Sequence, residues 1–216
     1  MCWVIDVYGP KMFRSIFPTV IYEAHYLDFD KVQQSFITKA LESFEGNMAP
    51  GNDYYDKDGE PIFRRTLPNL HLKSEFKDIV DFIDHHGKIY WNHMNLTSQE
   101  EPYTLQLWAN DVPPGGFTAA HNHTPIAIGG VFYLDADPNK GNLHLEDPTH
   151  FCRERMPYDW QKKPYVFSEE ITAEAGKIVM FPGYLMHHVR SNKSTSNRIA
   201  FGFNFGLSWQ YKARPY

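Results

Sequence analysis

The chain has 216 residues, which suits one domain with a full core and would leave two undersized halves if it were divided. Aromatic residues make up 16% of it and charged residues 22%, a composition typical of folded globular proteins and not of disordered chains. The formal net charge of -5 disfavours nucleic-acid binding, which depends on clustered Lys and Arg.

The N-terminal part of the chain is predicted to be mainly helical. A first helix begins after Asp30, which can cap it, and ends near Gly46. Residues 47–69 are rich in Gly, Pro, Asn and Asp and predict a long loop. A second helix spans about Glu75 to His86, where apolar residues repeat at helical spacing, and Gly87 stands in the usual position of a C-terminal stop.

After Glu101 the pattern changes to short β-type runs separated by turn residues, as in a jelly roll. Between two groups of runs, the segment from Thr149 to Val166 has no clear periodicity and predicts a long surface loop that serves as a lid or binding loop. Seven strands are predicted, at 103–108, 117–121, 126–134, 142–145, 177–181, 187–190 and 198–205.

Two histidine-bearing segments suggest a metal site. His121 and His123 are two residues apart on a predicted strand and would project from the same face of it. His187 begins another predicted strand, and Arg198 begins a third eleven residues later. In a β-barrel, adjacent strands have ends at the same opening of the barrel, so residues near these strand ends can lie close together. A metal bound by three side chains keeps coordination positions open for other ligands. The guanidinium of a buried Arg nearby can bind one carboxylate of a small dicarboxylate through bidentate hydrogen bonds.

Short motifs along most of the chain occur in a characteristic order and spacing. They are Phe17-Pro18, Trp108-Ala109-Asn110, His121-Asn122-His123, Gly130-Val131-Phe132-Tyr133-Leu134, Glu146-Asp147-Pro148, Phe181-Pro182, His187-His188-Val189 and Arg198 through Asn204. Together they resemble the 2-oxoglutarate and Fe(II)-dependent oxygenases, and within these the small oxygenases of phages and bacteria. The resemblance implies an α+β, mainly β, cupin-like fold. In it a single domain 1–216 packs a helical layer, residues 1–100, on a double-stranded β-helix, residues 101–216.

The resemblance also implies an iron site. His121 matches the first ligand of the superfamily's H-x-D/E motif and His187 matches the distal histidine, and Val189 fits the register that favours His187 over His188. At position 123 the superfamily has a carboxylate and this chain has histidine. His123 is the expected third ligand, since three-histidine iron sites exist in cupin dioxygenases. The alternatives are water or a nearby carboxylate, namely Asp111, Glu146 or Asp147.

Three further residues are implied to bind 2-oxoglutarate. Arg198 matches the basic residue that binds its C5 carboxylate, Tyr133 matches a tyrosine that donates to the same carboxylate, and Asn110 lies where other members keep a polar residue facing the cofactor. The implied activity is that of a dioxygenase that consumes dioxygen and 2-oxoglutarate, releases succinate and carbon dioxide, and most simply hydroxylates a substrate that the sequence does not identify.

Two other functions stay open at this point. A cupin-type dioxygenase would use three histidines without 2-oxoglutarate and leave Arg198 as a substrate clamp or a structural residue. A non-catalytic jelly roll would serve binding or particle structure, and its histidines need not converge. Trp108, Phe132, Phe181, Phe201 and Phe203 could line a substrate pocket, although aromatic residues at strand spacing usually belong to the core.

Location and assembly are predicted only in outline. The N-terminal stretch lacks a long apolar segment with a cleavage site, and no run approaches the roughly 18 apolar residues of a membrane span. The two cysteines, Cys2 and Cys152, provide no disulfide framework. A soluble cytoplasmic protein is therefore expected, without a membrane or nucleic-acid partner, and its oligomeric state, a homodimer included, stays open.

Overall fold

Helices occupy the N-terminal part of the chain and its C-terminal end. The computed structural model describes residues 2–6, 9–13, 18–49, 54–55, 61–149 and 167–212. The helices are α1 (Gln33–Glu42), α2 (Lys77–His93) and α3 (Ser208–Lys212), with 3₁₀ turns at Phe29–Lys31, Leu70–Leu72, Ser74–Phe76 and Pro138–Lys140.

Strands dominate the C-terminal half. The strands within the described residues are β1 (Cys2–Asp6), β2 (Gly9–Phe13), β3 (Tyr22–His25), β4 (Tyr54–Tyr55), β5 (Pro61–Arg65), β6 (Tyr103–Val112), β7 (Thr118–His121), β8 (Ile128–Asp135), β9 (Leu143–Glu146), β10 (Ser168–Ile171), β11 (Lys177–Pro182), β12 (His187–Val189) and β13 (Arg198–Gly206). Each of the seven predicted strands is present. The prediction omitted β10 and ended β6 four residues early.

The strands form two facing antiparallel sheets. Over the described residues the larger sheet has the order β3-β11-β8-β13-β6-β5-β4 and the smaller one the order β10-β9-β12-β7, while β1 and β2 form a separate hairpin. From β6 onward the chain passes repeatedly between the two sheets, and apolar side chains of both pack in the space between them. This arrangement is a double-stranded β-helix, which confirms the predicted fold class.

The helices cover the outer face of the larger sheet. Phe36 of α1 and Ile79 and Ile83 of α2 pack against alternate residues of β8 and β13, among them Phe132 and Phe201. All five side chains are at most 2% exposed. Burial of a large apolar side chain stabilises a fold by about 1.5–3 kcal/mol, so this layer contributes much of the cohesion that holds the sheet in shape.

The predicted end of the second helix is wrong. Helix α2 continues through Gly87 to His93. A Cβ atom at Gly87 would lie 2.6 Å from Cε2 of Phe205, a distance that real Cβ atoms do not reach. Glycine therefore allows the helix to approach β13 closely and does not terminate it.

The prediction of a loop over residues 47–69 is wrong in part, and the N-terminal part contributes strands in addition to the predicted helical layer. The loop region contains β4 and β5, and Arg64 and Arg65 of β5 pair with Asp111 and Asn110 of β6. Strand β3 extends the same sheet at its other edge, beside β11. Residues from the N-terminal part thus complete the larger sheet as well as covering it.

Some predictions fall beyond the part of the chain that the structure describes. Most of the predicted long loop, residues 150–166, lies outside the described residues, as do Phe17 and Cys152. No helix in the described part of the chain combines the length and the apolar character needed to cross a membrane.

Candidate metal centre and its cavity

Three imidazole rings converge between the two sheets. His121 ends β7 and lies directly opposite His187, the first residue of β12, while His123 follows the end of β7 by two residues. The ring centroids of His121 and His187 are 4.3 Å apart, and that of His123 lies 4.9 Å from His187 and 5.3 Å from His121. One ligand nitrogen from each ring lies within 4.8 Å of the other two. Such a group can hold one metal ion.

Hydrogen bonds fix the tautomer of two of these rings. Nδ1 of His121 lies 2.8 Å from the carbonyl oxygen of Ala119, and Nδ1 of His187 lies 2.9 Å from that of Leu185. Because a carbonyl oxygen only accepts, Nδ1 carries the proton in both rings and donates it. The lone pair of Nε2 is then available to a metal, as it is in most histidine-ligated sites.

The third ring has a supporting network of its own. His123, which is 6% exposed, donates from Nδ1 to Oδ1 of Asn204 at 2.6 Å, and Asn204 donates from Nδ2 to Oε1 of Gln106 at 2.5 Å. Because an amide oxygen only accepts hydrogen bonds, the proton of the first bond is on Nδ1 of His123. A Cβ atom at Gly129 would lie 2.7 Å from Nδ1 of His123. The surroundings therefore provide both the space and the hydrogen-bond partner that an imidazole needs at position 123.

The imidazole of His187 is in the protonation state that binds metals. Burial and the neighbouring His121 ring together lower the pKa of His187 to about 3, while the hydrogen bond to the carbonyl of Leu185 opposes the shift. At neutral pH the imidazole of His187 is thus neutral, which is the form that coordinates a metal.

None of the carboxylates considered as alternative ligands reaches the cluster. Asp111 is fully buried and accepts hydrogen bonds from Arg64 and from Asn197. Oε1 of Glu146 lies 3.2 Å from Nδ1 of His188, whose ring stacks on that of His144. Asp147 accepts from the hydroxyl and the backbone N–H of Thr149. Within the described residues, the cluster consists of three histidines alone.

A cavity of about 300 Å³ opens beside the three rings. Trp108 and Phe181 line it, and the indole of Trp108 lies 5.9 Å from the ring of His123. The other aromatic candidates, Phe132, Phe201 and Phe203, belong to the core beneath the helices. The volume is at the small end of the range for ligand pockets.

A buried cation and a buried hydroxyl lie farther along the same interior face. Arg198 is 3% exposed, donates from Nη1 to the carbonyl of Lys140 at 2.5 Å, and takes part in none of the ion pairs among the described residues. Tyr133 is 1% exposed, and within the described part of the chain its hydroxyl has no hydrogen-bond partner. An orphaned buried hydroxyl costs about 1–3 kcal/mol, so the position of Tyr133 suits a ligand that accepts its proton in a hydrogen bond.

The register relates this pair to the cavity. Tyr133 lies two residues beyond Val131 on β8, and Arg198 lies four residues before Gly202 on β13; Val131 and Gly202 both line the cavity. Burial raises the pKa of Tyr133 to about 12, against the opposing charge of Arg198, and lowers that of Arg198 to about 10. At neutral pH the site therefore presents a protonated hydroxyl and a guanidinium cation.

Asn110, the third residue expected to face the cofactor, is part of the cavity wall. Its Oδ1 atom is buried and has no hydrogen-bond partner in the portion of the chain that the structure describes. Rotation of the amide by 180° would present Nδ2 at the same place, so the group can serve a ligand as acceptor or as donor.

The family is identified from the strands that carry these residues. Residues 106–204 match the model of a family described as "Putative 2OG-Fe(II) oxygenase". The matched segment contains the three histidines, Arg198, Tyr133 and Asn110. This segment, just under half of the chain, is similar to a 2OG-Fe(II) oxygenase domain. No curated protein sequence matches the chain.

Solved structures with the fold of this oxygenase domain cover most of the chain. The non-heme alpha ketoglutarate dependent carbocyclase SnoK from nogalamycin biosynthesis has a TM-score of 0.65 at 15% identity, with 87% of this chain and 79% of that chain covered. HygX from Streptomyces hygroscopicus, with nickel and 2-oxoglutarate bound, has a TM-score of 0.60 at 12% identity, with 88% of this chain and 84% of that chain covered. A prolyl-4-hydroxylase from Pseudomonas putida has a TM-score of 0.59 at 16% identity, with 87% of this chain and 92% of that chain covered. At these identities the likeness concerns the fold.

The oxygenase family accounts for the chemistry of the donor set. Its members use Fe(II) and 2-oxoglutarate, and the three histidines form a group that can hold the iron. The neighbouring structures include a carbocyclase, an epimerase and a hydroxylase, so the family alone does not specify the outcome of the reaction.

Sequence reasoning missed several residues of the oxygenase site. Arg65 and Phe63 line the cavity, yet both fall in the predicted loop. Asn204 and Gln106 support His123 without a role in the expected motif. The alternation of β13 could have identified Asn204, because residues 198, 200, 202 and 204 of a strand share one face.

Proposed function

We propose that the protein is an Fe(II)- and 2-oxoglutarate-dependent dioxygenase that hydroxylates a small substrate and releases succinate and carbon dioxide. The observation that carries this proposal is the convergence of His121, His123 and His187, each with a hydrogen bond from Nδ1, so that Nε2 carries the lone pair of the ring. A non-catalytic jelly roll would not require three such rings to meet beside a cavity.

In this proposal each group has one task. His121, His123 and His187 hold Fe(II) through Nε2, and bound iron supplies the oxidative chemistry that 2-oxoglutarate and dioxygen drive. Arg198 and Tyr133 hold the distal carboxylate of 2-oxoglutarate. The guanidinium supplies charge and the hydroxyl donates a hydrogen bond that it does not make within the protein.

The remaining wall residues keep the reaction enclosed. Trp108 and Phe181 exclude water from the side of the cavity next to the histidines. Asn110 offers its amide to the ligand between the two ends of the site.

The three-histidine donor set favours a second candidate, a cupin-type dioxygenase that works without 2-oxoglutarate. Three neutral imidazoles leave the dipositive charge of iron unreduced, as in that class. The two candidate functions assign different roles to Arg198 and Tyr133: only the first uses them to bind 2-oxoglutarate. An orphaned hydroxyl beside a buried cation, at some distance from the rings, favours the dicarboxylate co-substrate.

The matched variant that tests the proposal is Tyr133→Phe. The hydroxyl has no hydrogen-bond partner among the described residues, so its removal should not lower the free energy of unfolding. The same change should raise the 2-oxoglutarate concentration for half-maximal succinate release about 3- to 10-fold. Arg198→Lys keeps the charge but loses the bidentate geometry of the guanidinium, so it should raise this 2-oxoglutarate concentration further. Succinate release and oxygen uptake by the iron-loaded protein are the measurements.

Two outcomes would contradict this proposal. Oxygen uptake that is independent of 2-oxoglutarate would favour the cupin-type enzyme. An unchanged 2-oxoglutarate requirement in both variants, with folding intact by circular dichroism, would remove Arg198 and Tyr133 from the co-substrate site.

A further inference from the structure

A buried amide on the last helix contacts the loop that carries His123. Gln210 of α3 is 6% exposed, although glutamine side chains mostly lie at protein surfaces. Its Nε2 atom donates a hydrogen bond to the carbonyl oxygen of Pro125 at 3.0 Å. Residue 210 lies outside the segment 106–204 that matches the oxygenase family, so the motifs of that family do not account for this contact.

The loop of residues 122–127 connects β7 to β8 and is bonded to two different parts of the fold. The turn between β11 and β12 provides one attachment: the backbone N–H of His123 donates to the carbonyl of Gly183 at 2.7 Å, and the N–H of Gly183 donates to the carbonyl of Ala127 at 2.9 Å. The side chain of Gln210 provides the other attachment. The position of His123 therefore depends on α3 as well as on the neighbouring strands.

The contact with Pro125 leads directly to His123. The N–H of Ile126 donates to the carbonyl oxygen of His123 at 2.8 Å, which closes a tight turn over residues 123–126. The carbonyl of Pro125 and the N–H of Ile126 belong to one planar peptide group. A hydrogen bond from Gln210 to that carbonyl thus fixes the direction in which the same peptide donates to His123.

The amide of Gln210 has one orientation that satisfies both of its ends. Oε1 accepts from the backbone N–H of Leu207 at 2.8 Å, while Nε2 donates to Pro125. Rotation of the amide by 180° would set donor against donor and acceptor against acceptor. Gln210 is the third residue of α3, a position from which glutamine commonly bonds back to the N–H of the residue before the helix.

The start of α3 is itself held in place. The backbone N–H and the hydroxyl of Ser208 donate to the carboxylate of Glu100 at 3.3 and 3.1 Å. Leu207 is 7% exposed and belongs to the core cluster beneath the helices. Gln210 therefore reaches Pro125 from a fixed part of the molecule, as a side chain that orients a loop must do.

We propose that Gln210 is a positioning residue of the metal centre. Its amide orients the peptide between Pro125 and Ile126, and this peptide holds the backbone of His123 where the imidazole meets the other two rings. The inference rests on the proposed function only in taking the three histidines as metal ligands. Gln210 acts through His123 and touches neither the metal nor the substrate.

Gln210→Met tests this role, because methionine is an adaptable apolar side chain and makes neither hydrogen bond of the amide. The affinity of the folded variant for Zn(II), measured by chelator competition, should fall about 3- to 10-fold, which is the size of effect that one hydrogen bond produces. Global destabilisation would not produce this loss as long as the metal-free variant stays folded.

Two control variants should keep the Zn(II) affinity of the unmodified protein. Gln33→Met removes a bond of the same kind, from a glutamine amide to the carbonyl of Leu134 at 2.9 Å. Ser208→Ala removes a bond at the start of α3 and leaves Gln210 in place. The first controls for the loss of a glutamine amide and the second for a weakened helix start.

Amide hydrogen exchange of the metal-free protein gives a second readout. In Gln210→Met the N–H of Ile126 should exchange about 3- to 10-fold faster relative to the amides of β13, and in Gln33→Met this ratio should not change. If Gln210→Met fails to fold, the unmodified protein provides the test. Since coupling between sites is reciprocal, Zn(II) should slow exchange of the Gln210 side-chain amide and leave that of Gln33 unchanged.

Unchanged Zn(II) affinity in folded Gln210→Met, or an equal loss in either control variant, would overturn the inference. Exchange of Ile126 that stays in proportion to that of β13, or a Gln210 amide that does not respond to Zn(II), would do the same. Failure of the iron-loaded protein to release succinate from 2-oxoglutarate would overturn the proposed function instead and leave these metal-binding results standing.

Discussion

His123 stands where the wider oxygenase superfamily has a carboxylate, and its neighbours are adapted to the imidazole. Gly129 leaves space for the ring, and Oδ1 of Asn204 accepts a hydrogen bond from its Nδ1–H group. A carboxylate at the same place would need neither feature. A neutral ligand also leaves more positive charge at the metal, which favours an anionic chelator and changes the iron's potential.

The Asn204 network can be tested at the level of a single residue. Asn204→Leu removes the acceptor for Nδ1–H of His123 and frees the ring to turn, so the affinity for Fe(II) or Co(II), measured by chelator competition, should fall about 10- to 100-fold. Asn204→Asp keeps an acceptor, and Gln106 can turn its amide to donate to it, so this variant should retain the affinity.

A readout on the metal-free protein separates positioning from general damage. In ¹⁵N spectra of the histidine side chains, the unmodified protein and Asn204→Asp should show His123 protonated at Nδ1, and Asn204→Leu should show a mixture of tautomers. Equal metal affinity in all three proteins, with His123 unchanged, would show that Asn204 does not position the ring.

The sequence identified most, but not all, of the residues around this centre. The histidines, Arg198, Tyr133 and Asn110 stand in recognisable motifs on regular strands, and all lie on the interior face or beside the cavity. Arg65 could not be found this way, because its strand is short, begins at Pro61 and pairs with β6 through only two residues. The pairing depends on tertiary contacts that local sequence does not express.

At the scale of elements, the approach of α2 to β13 shows why Gly87 was misjudged as a helix stop. Glycine near the end of an amphipathic pattern predicts a C-terminal cap, but the same residue is required wherever a helix lies close to another element. The ring of Phe205 fills the place that a Cβ atom would take. Only the three-dimensional packing separates the two explanations.

Gly87→Ala should therefore destabilise the protein, although alanine has the higher helix propensity by about 1 kcal/mol. The added methyl group meets the fully buried ring of Phe205, and overpacking of this kind costs about 1–3 kcal/mol. Urea denaturation of Gly87→Ala, compared with Lys88→Ala on the exposed side of the helix, measures the difference. Increased stability of Gly87→Ala would instead support the explanation of Gly87 as a poor helix residue.

In the molecule as a whole, the two faces of the larger sheet have different roles. The outer face of the larger sheet carries the helices and most of the apolar core, and the space between the sheets holds the histidines, the cavity and the buried cation. The fold was predictable because alternating strands and turn residues recur on both sides of the segment 149–166 in the C-terminal half. The strands of the N-terminal part were not, because they are short and depend on a sheet that forms elsewhere in the sequence.

The central claim is that three histidines hold Fe(II) in a form that chelates 2-oxoglutarate. Anaerobic titration of the Fe(II)-loaded protein with 2-oxoglutarate, followed by visible absorption, tests it most directly. We predict a weak charge-transfer band that saturates when one 2-oxoglutarate is bound per iron. The band should appear at higher 2-oxoglutarate concentration in Tyr133→Phe and be absent in His187→Ala. Protein with a full complement of iron and no band at saturating 2-oxoglutarate would contradict the claim.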